Sequence, residues 1–249
     1  MLRWVPKCAR PMLDGMYDVD LAAVGALLGN PSRAAMLDAL MTGRALTASE
    51  LARVAGISPA TASEHLAKLR EGELVEVVVQ GRHRYHRIAS PDVGAALESL
   101  SHIAPEQAVT TLRQSTRARS LAEARTCYDH VAGRSGVALH DGLVARGWLV
   151  PEPGGYGLSE PGVEGLLGWG VDVTTARASR RRFARPCLDW TERREHLAGS
   201  LAAALAIALI DGPEPWFVRR SDDHRGLRPT DLGRDRLAEL GWEPVERSA

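Results

Sequence analysis

Two cysteines stand in related surroundings. The segment "CYDHVAG", Cys127 to Gly133, is echoed by "CLDWTERREHLAG", Cys187 to Gly199, and each cysteine precedes an aspartate by two residues, Asp129 and Asp189. Both segments close in His-x-Ala-Gly, with a six-residue difference between cysteine and histidine. If the two copies are related by a pseudo-twofold, the thiols of Cys127 and Cys187 approach each other. Such a pair could sense oxidant, reactive sulfur, an electrophile or a soft metal. Cys127 and His130, three apart on what reads as a helix, would share a face. The competing reading makes both cysteines small core hydrophobes, the commoner fate of a free thiol. Both readings stand at this point. His140, His196 and His224 are scattered and read as structural or exposed.

A second polar set lies in "ISPATASEHLAKLREGELV", Ile57 to Val75. Ser58 suits an N-cap and Pro59 a first helical position. Ala62, Leu66 and Leu69 fall on one face, and Thr61, Ser63, Glu64, His65 and Lys68 fall largely elsewhere. Upstream, "TASELARVAG" reads as a capping box, with Thr47 as N-cap, Glu50 three residues on and Gly56 as the stop. Downstream, "LVEVVVQ", "GRHR" and "YHRIA" read as strand, turn and strand, and Pro91 opens a further helix to about Ile103. The order predicts a helix-turn-helix followed by a hairpin wing. The second helix of the pair brings small polar groups and the positive end of its dipole to its leading end, which suits a phosphate-lined groove.

These residues resemble the ArsR family of bacterial winged-helix regulators. The carriers are "LLGNPSRAAMLDALM", "TASELARVAGISPATASEHLAKLREGELVEV" and "GRHRYHRI", over roughly residues 19–104. The resemblance implies a homodimeric DNA-binding transcriptional regulator, with the helices at Asp20 and Pro91 in the dimer contact. It assigns DNA contacts to Ser58, Thr61, Ser63, Glu64, His65, Lys68, Arg82, His83 and Arg84. Two metal patterns of the family are absent. No Cys-x-Cys occurs in "TASELARV", and no histidine follows Asp92 by two residues in "SPDVGAALESLSHI", so neither of those sites is expected and no metal or cofactor is assigned.

Charge qualifies the nucleic-acid reading. Residues 16–108 carry eight Lys/Arg and eleven Asp/Glu, a formal −3. Positive charge is concentrated at Arg82, Arg84 and Arg87 with His83 and His86, and at Lys68 and Arg70. Phosphate contacts require local rather than net charge. A winged helix that binds protein instead of DNA is the alternative; three arginines within six residues of a wing favour DNA.

The whole chain has 249 residues and a formal net charge of zero. No stretch approaches ~18 uninterrupted apolar residues, so no membrane span is expected. Three cysteines and no secretory signal point to a reducing cytoplasm. Residues 1–15 read as a poorly ordered arm, with Met12 or Met16 an equally good start. Residues 16–108 form the winged helix-turn-helix, 109–126 a connecting helix, and 127–249 a C-terminal sensor module with halves at about 127–170 and 180–249. The halves share Ser/Thr-x-x-Gly-x-x-x-Leu at Ser159, Gly162, Leu166 and at Thr230, Gly233, Leu237. Each reads as degenerate winged-helix-like, which makes the chain mainly α with small β-hairpins. A buried interior in this module would take a small-molecule or redox effector, or merely stabilise the protein. The basic run "RASRRRFARPCLDWTERR" reads as a solvated helical face or a phosphate contact. No glycine-rich phosphate loop, nucleophile elbow or metal-hydrolase histidine pair is present, so no enzyme is expected.

Overall fold

The computed structural model describes residues 19–105, 110–220 and 225–243. The arm at residues 1–15, with Cys8, and His224 lie outside them. The chain divides into two compact units, Met1–Ala96 and Leu97–Ala249, and the division falls inside a helix.

The first unit opens with α1 (Leu21–Leu28), capped by the Asp20 carboxylate, and α2 (Pro31–Leu40). The intervening Asn-Pro-x-Arg has a clear local role. Asn30 caps α2 by accepting from the Arg33 amide. The Arg33 guanidinium turns back and donates to the carbonyls of Leu27 at 2.7 Å and Ala26 at 2.6 Å, satisfying orphan acceptors at the end of α1. β1 (Leu46–Thr47) leads into α3 (Ala48–Ala55), whose predicted capping box between Thr47 and Glu50 is present. Gly56 takes φ 64°, where a side chain would be strained, and lets α4 (Pro59–Glu71) depart at once. β2 (Val75–Gln80) and β3 (His83–Ile88) form the hairpin, and the sheet order is β1-β3-β2. Met36, Leu37, Leu40, Leu51, Leu66 and Leu69 are buried and hold the helices on the sheet.

Helix α5 (Pro91–Ile103) straddles the division, and Glu98 belongs to the second unit. That unit continues with α6 (Leu112–Glu123), shorter than the expected connecting helix. The chain then leaves helical geometry: β4 (Arg125–Cys127) and β5 (His130–Ala132) make a hairpin where the sequence pattern suggested more helix. Tyr128, in the left-handed region at φ 57°, turns the chain there. Next come α7 (Arg134–Ala145), the hairpin of β6 (Leu149–Glu152) and β7 (Gly155–Leu158), and α8 (Glu160–Gly168). After α9 (Val173–Ala178) the same order returns. β8 (Arg185–Leu188) and β9 (Glu195–Ala198) are followed by α10 (Ser200–Ala206), which runs into a π-helical turn at Ile207–Asp211. The hairpin of β10 (Phe217–Arg219) and β11 (Leu227–Pro229) and helix α11 (Asp231–Ala238) complete it.

The repeated motif acts in the same way twice. Ser159 accepts from the Gly162 amide at 3.1 Å, and Thr230 from the Gly233 amide at 2.9 Å. Each glycine faces a tryptophan backbone, Trp148 or Trp216, too closely to admit a Cβ. Leu166 and Leu237, one turn further on, are both fully buried. Trp148, Trp169 and Trp216 pack in series at 5.0 and 4.7 Å between ring centroids. The enclosed space among Val131, Gly136, Leu139, Leu197, Ala202 and Leu205 is about 10 Å³, room for at most one water. That space cannot hold the small organic effector considered for this module.

Candidate functional sites

Helix α4 carries the first site. Ala62, Leu66 and Leu69 are buried against the fold, so the helix cannot rotate without exposing them. Ser58, Ser63, Glu64 and Lys68 are exposed, and Thr61 and His65 are half-buried. The hydroxyls at the leading end are partly engaged within the helix. Ser58 caps the Thr61 amide at 3.2 Å and meets the Thr61 hydroxyl at 2.9 Å, while Ser63 donates to the Pro59 carbonyl at 2.9 Å. Each oxygen keeps a lone pair for an incoming donor.

The hairpin tip is tight. Gln80 pairs with His83, and Gly81 at φ 60° makes the turn. Arg82, His83 and Arg84 are exposed there. Arg87, grouped with them by sequence, is ion-paired with Glu76 across the hairpin and contributes less positive charge. Half-buried His86 has its pKa lowered, first by burial and then by Arg70 and Arg84, which places these two cations near one face.

The second site is buried in the Leu97–Ala249 unit. In the first hairpin Cys127 lies directly across from His130; in the second, Cys187 lies directly across from His196. Cys127 and His130 are therefore cross-strand neighbours rather than helical ones. The four side chains converge, with one ligand-capable atom from each within 4.8 Å of the others. The Nε2 atoms of His130 and His196 are 3.1 Å apart. Both cysteines are free and buried, packed against Ala132 and Ala198. Sequence reasoning paired the thiols but missed His196. The missed signal was the shared His-x-Ala-Gly, which fixes both histidines relative to their glycines.

Carboxylates surround the cluster. His130 Nδ1 stands 3.5 Å from Asp129, and His196 Nδ1 stands 3.4 Å from Asp189. Glu98, from α5, accepts from the Cys187 thiol at 3.7 Å and lies 3.7 Å from His130 Nε2. Burial opposes charge on His130, but hydrogen bonds with Asp129 and Cys127 outweigh it and raise its pKa. Burial, and then the charge on His130, holds His196 neutral. The bond to Cys187, followed by burial, raises the Cys127 thiol.

Asp189 also organises the second hairpin loop. Its carboxylate accepts from Thr191, from the Glu192 amide, from the Gly133 amide at 2.7 Å and from Arg125 at 2.8 Å. Arg125 is 0% exposed, donates also to the Leu121 carbonyl, and lies over the Trp190 ring at 4.4 Å. The basic run is not a free helical face. Arg181 pairs with Asp129, Arg185 with Glu98 and Arg194 with Asp141.

Known proteins resemble the chain along most of its length. A family model described as a helix-turn-helix domain matches residues 28–78. The HTH-type transcriptional regulator YdfF of Bacillus subtilis (strain 168) is 41% identical over 215 residues, covering 86% of this chain and 94% of its own length. The HTH-type transcriptional regulator Rv0324 of Mycobacterium tuberculosis is 38% identical over 87 residues, covering 34% of this chain and 38% of its own. Among solved structures, the homodimeric winged helix-turn-helix DNA-binding domain of Mb0332 from Mycobacterium bovis, a possible ArsR-family regulator, is 32% identical. It covers 33% of this chain and 76% of that one, with a TM-score of 0.32.

Proposed function

Because the chain belongs to the family of HTH-type transcriptional regulators, we propose that it is a homodimeric repressor whose α4 reads the major groove while Arg82 and Arg84 lie along the adjacent backbone. It binds DNA and regulates transcription, and it is not an enzyme. The observation that carries the residue assignment is the exposed polar face of α4 beside the arginine-tipped hairpin. Ser58, Thr61, Ser63, Glu64, His65 and Lys68 supply groove contacts through hydrogen bonds, and Arg82, His83 and Arg84 supply phosphate contacts. Apolar side chains exposed on α1 and α5, including Leu21 at 76% and Ile103 at 79%, support pairing with a second copy. A signal received in the Leu97–Ala249 unit shifts the dimer between binding and non-binding geometries. Among the described residues no helix is long and apolar enough to cross a membrane. The cytoplasm, where thiols stay reduced, is the compartment that suits this role.

A gel shift against the region upstream of the chain's own gene tests the reading. The expected result is specific retardation by wild type and weaker binding by the Arg82→Ala/Arg84→Ala double variant. Equal affinity of the two proteins overturns the wing assignment. Absence of any binding at low salt would leave a winged-helix protein-interaction module instead.

A further inference from the structure

We propose that Cys127, His130, Cys187 and His196 form a binding site for a divalent thiophilic cation of the zinc type, held by two thiolates and two imidazoles. Donor chemistry comes first. Two sulfurs and two ring nitrogens are the donor set of closed tetrahedral zinc sites, with metal–sulfur distances near ~2.3 Å and metal–nitrogen distances near ~2.0–2.1 Å. A tetrahedron with those arms holds its nitrogens roughly 3.3 Å apart and its sulfurs roughly 3.8 Å apart. The 3.1 Å between the two Nε2 atoms is close to that nitrogen spacing, and all four donors lie within 4.8 Å of one another, near enough to close on one ion.

The surroundings supply the second argument. A metal-bound imidazole characteristically turns its other nitrogen toward a carboxylate, which orients the ring and raises its basicity. His130 has this arrangement with Asp129, and Asp189 lies 3.4 Å from the Nδ1 of His196, close enough to adopt it although no hydrogen bond is formed there. If the carboxylates draw the ring protons to Nδ1, the two Nε2 lone pairs face each other in the buried interior. A buried acceptor facing another acceptor needs something positive between them. In the cation-free protein a single shared proton fills that role; a metal ion fills it for all four donors, and that shared proton and both thiol protons pass to solvent on binding.

Simple core packing explains the arrangement less well. Cysteine and alanine are ordinary core residues, but two cross-strand Cys–His pairs, one from each half, meeting nitrogen to nitrogen are not what apolar burial selects. All four ligand positions come from the protein, so the site is closed and non-catalytic. This inference stands independently of the DNA-binding role, and its test contains no DNA.

The full chain, reduced and stripped with chelator, is titrated with Co²⁺. One equivalent should give the intense visible absorption of tetrahedral cobalt and near-ultraviolet thiolate-to-cobalt charge transfer, both erased by one equivalent of Zn²⁺. Cys187→Ser and His196→Ala should each lose that spectrum. X-ray absorption at the zinc edge of the wild-type protein gives a readout free of any folding defect in a variant, with two sulfur and two nitrogen neighbours expected. No stoichiometric uptake, an all-oxygen coordination shell, or an unchanged cobalt spectrum in Cys187→Ser overturns the site. Failure of wild type to take up the ion, together with rapid formation of a Cys127–Cys187 disulfide, overturns it in favour of a redox thiol pair.

Discussion

Asp189 joins the two halves of the second unit: one carboxylate oxygen accepts from Arg125, 64 residues earlier in the chain, and the other from the Gly133 amide, 56 residues earlier. Arg125 and Asp189 are both fully buried. Removing one partner strands the other charge in a medium that cannot solvate it. Arg125→Ala should destabilise the second unit by about 3–5 kcal/mol. Chemical denaturation followed through the tryptophans near Trp148 and Trp216 measures the loss, and a cost within error of zero would refute the pairing's importance.

Asp129 offers a gentler probe of the cysteine–histidine cluster. It orients His130 from outside and is held by Arg181. Asp129→Asn should leave the fold intact and weaken cation affinity about 10–100-fold. Competition with a chromophoric chelator reads this directly. Unchanged affinity would show that the carboxylate does not support the ligand.

Glu98 ties the cluster to α5, which opens at Pro91 soon after the wing strand ends at Ile88. Loading the cluster removes the Cys187 proton that Glu98 accepts, so the carboxylate loses a donor. Glu98→Gln replaces that carboxylate with an amide, which can itself donate to the metal-bound sulfur. The variant should show a smaller ratio between operator affinities of the metal-loaded and stripped forms than wild type does. This expectation needs both proposals to hold; equal ratios in the two proteins would show that Glu98 carries no signal.

The wing arginines should act through screening as well as affinity. Each phosphate contact that Arg82 or Arg84 makes contributes about one unit to the slope of log affinity against log salt. The double variant should therefore lose about two units of slope across every duplex tested. Ser63→Ala should instead alter the ranking of sequences with little change in slope. Fluorescence anisotropy at several salt concentrations separates these effects.

His86 gives the first unit a pH dependence of known sign. Its native pKa is depressed below 6.5, chiefly by burial. The unfolded chain takes up that proton at the ordinary value and the native chain only at lower pH. The stability it contributes is intact above about pH 6.5 and is lost as pH falls toward the native pKa. Wild type should lose more urea resistance than His86→Gln between pH 7.5 and pH 5.5. Parallel losses would assign the effect to other groups.

The first unit was largely legible in the sequence because local rules agree there. Asn30, Thr47, Ser58 and Gly56 each mark a boundary through capping or turn chemistry within a few residues. Arg87, counted with the wing's positive charge, has its ion-pair partner Glu76 on the opposite strand eleven residues away, which spacing along the chain does not reveal. In the second unit the repeat was visible, but the stretch after α6 has helical composition, and its departure into β4 depends on long-range bonds. Thr126 donates to the Arg225 carbonyl and Leu227 to that of Ala124. The cluster was half-visible for a similar reason: the distance in sequence between Cys127 and His130 differs from that between Cys187 and His196. Register across each hairpin, rather than spacing along the chain, makes the two pairs equivalent.

The division of ligands between two hairpins has a temporal consequence. During synthesis Cys127 and His130 leave the ribosome long before His196, and a two-donor fragment would grip a metal ion only weakly. Firm capture awaits the later hairpin, so an ion lodged here would certify that both copies had been translated and had met.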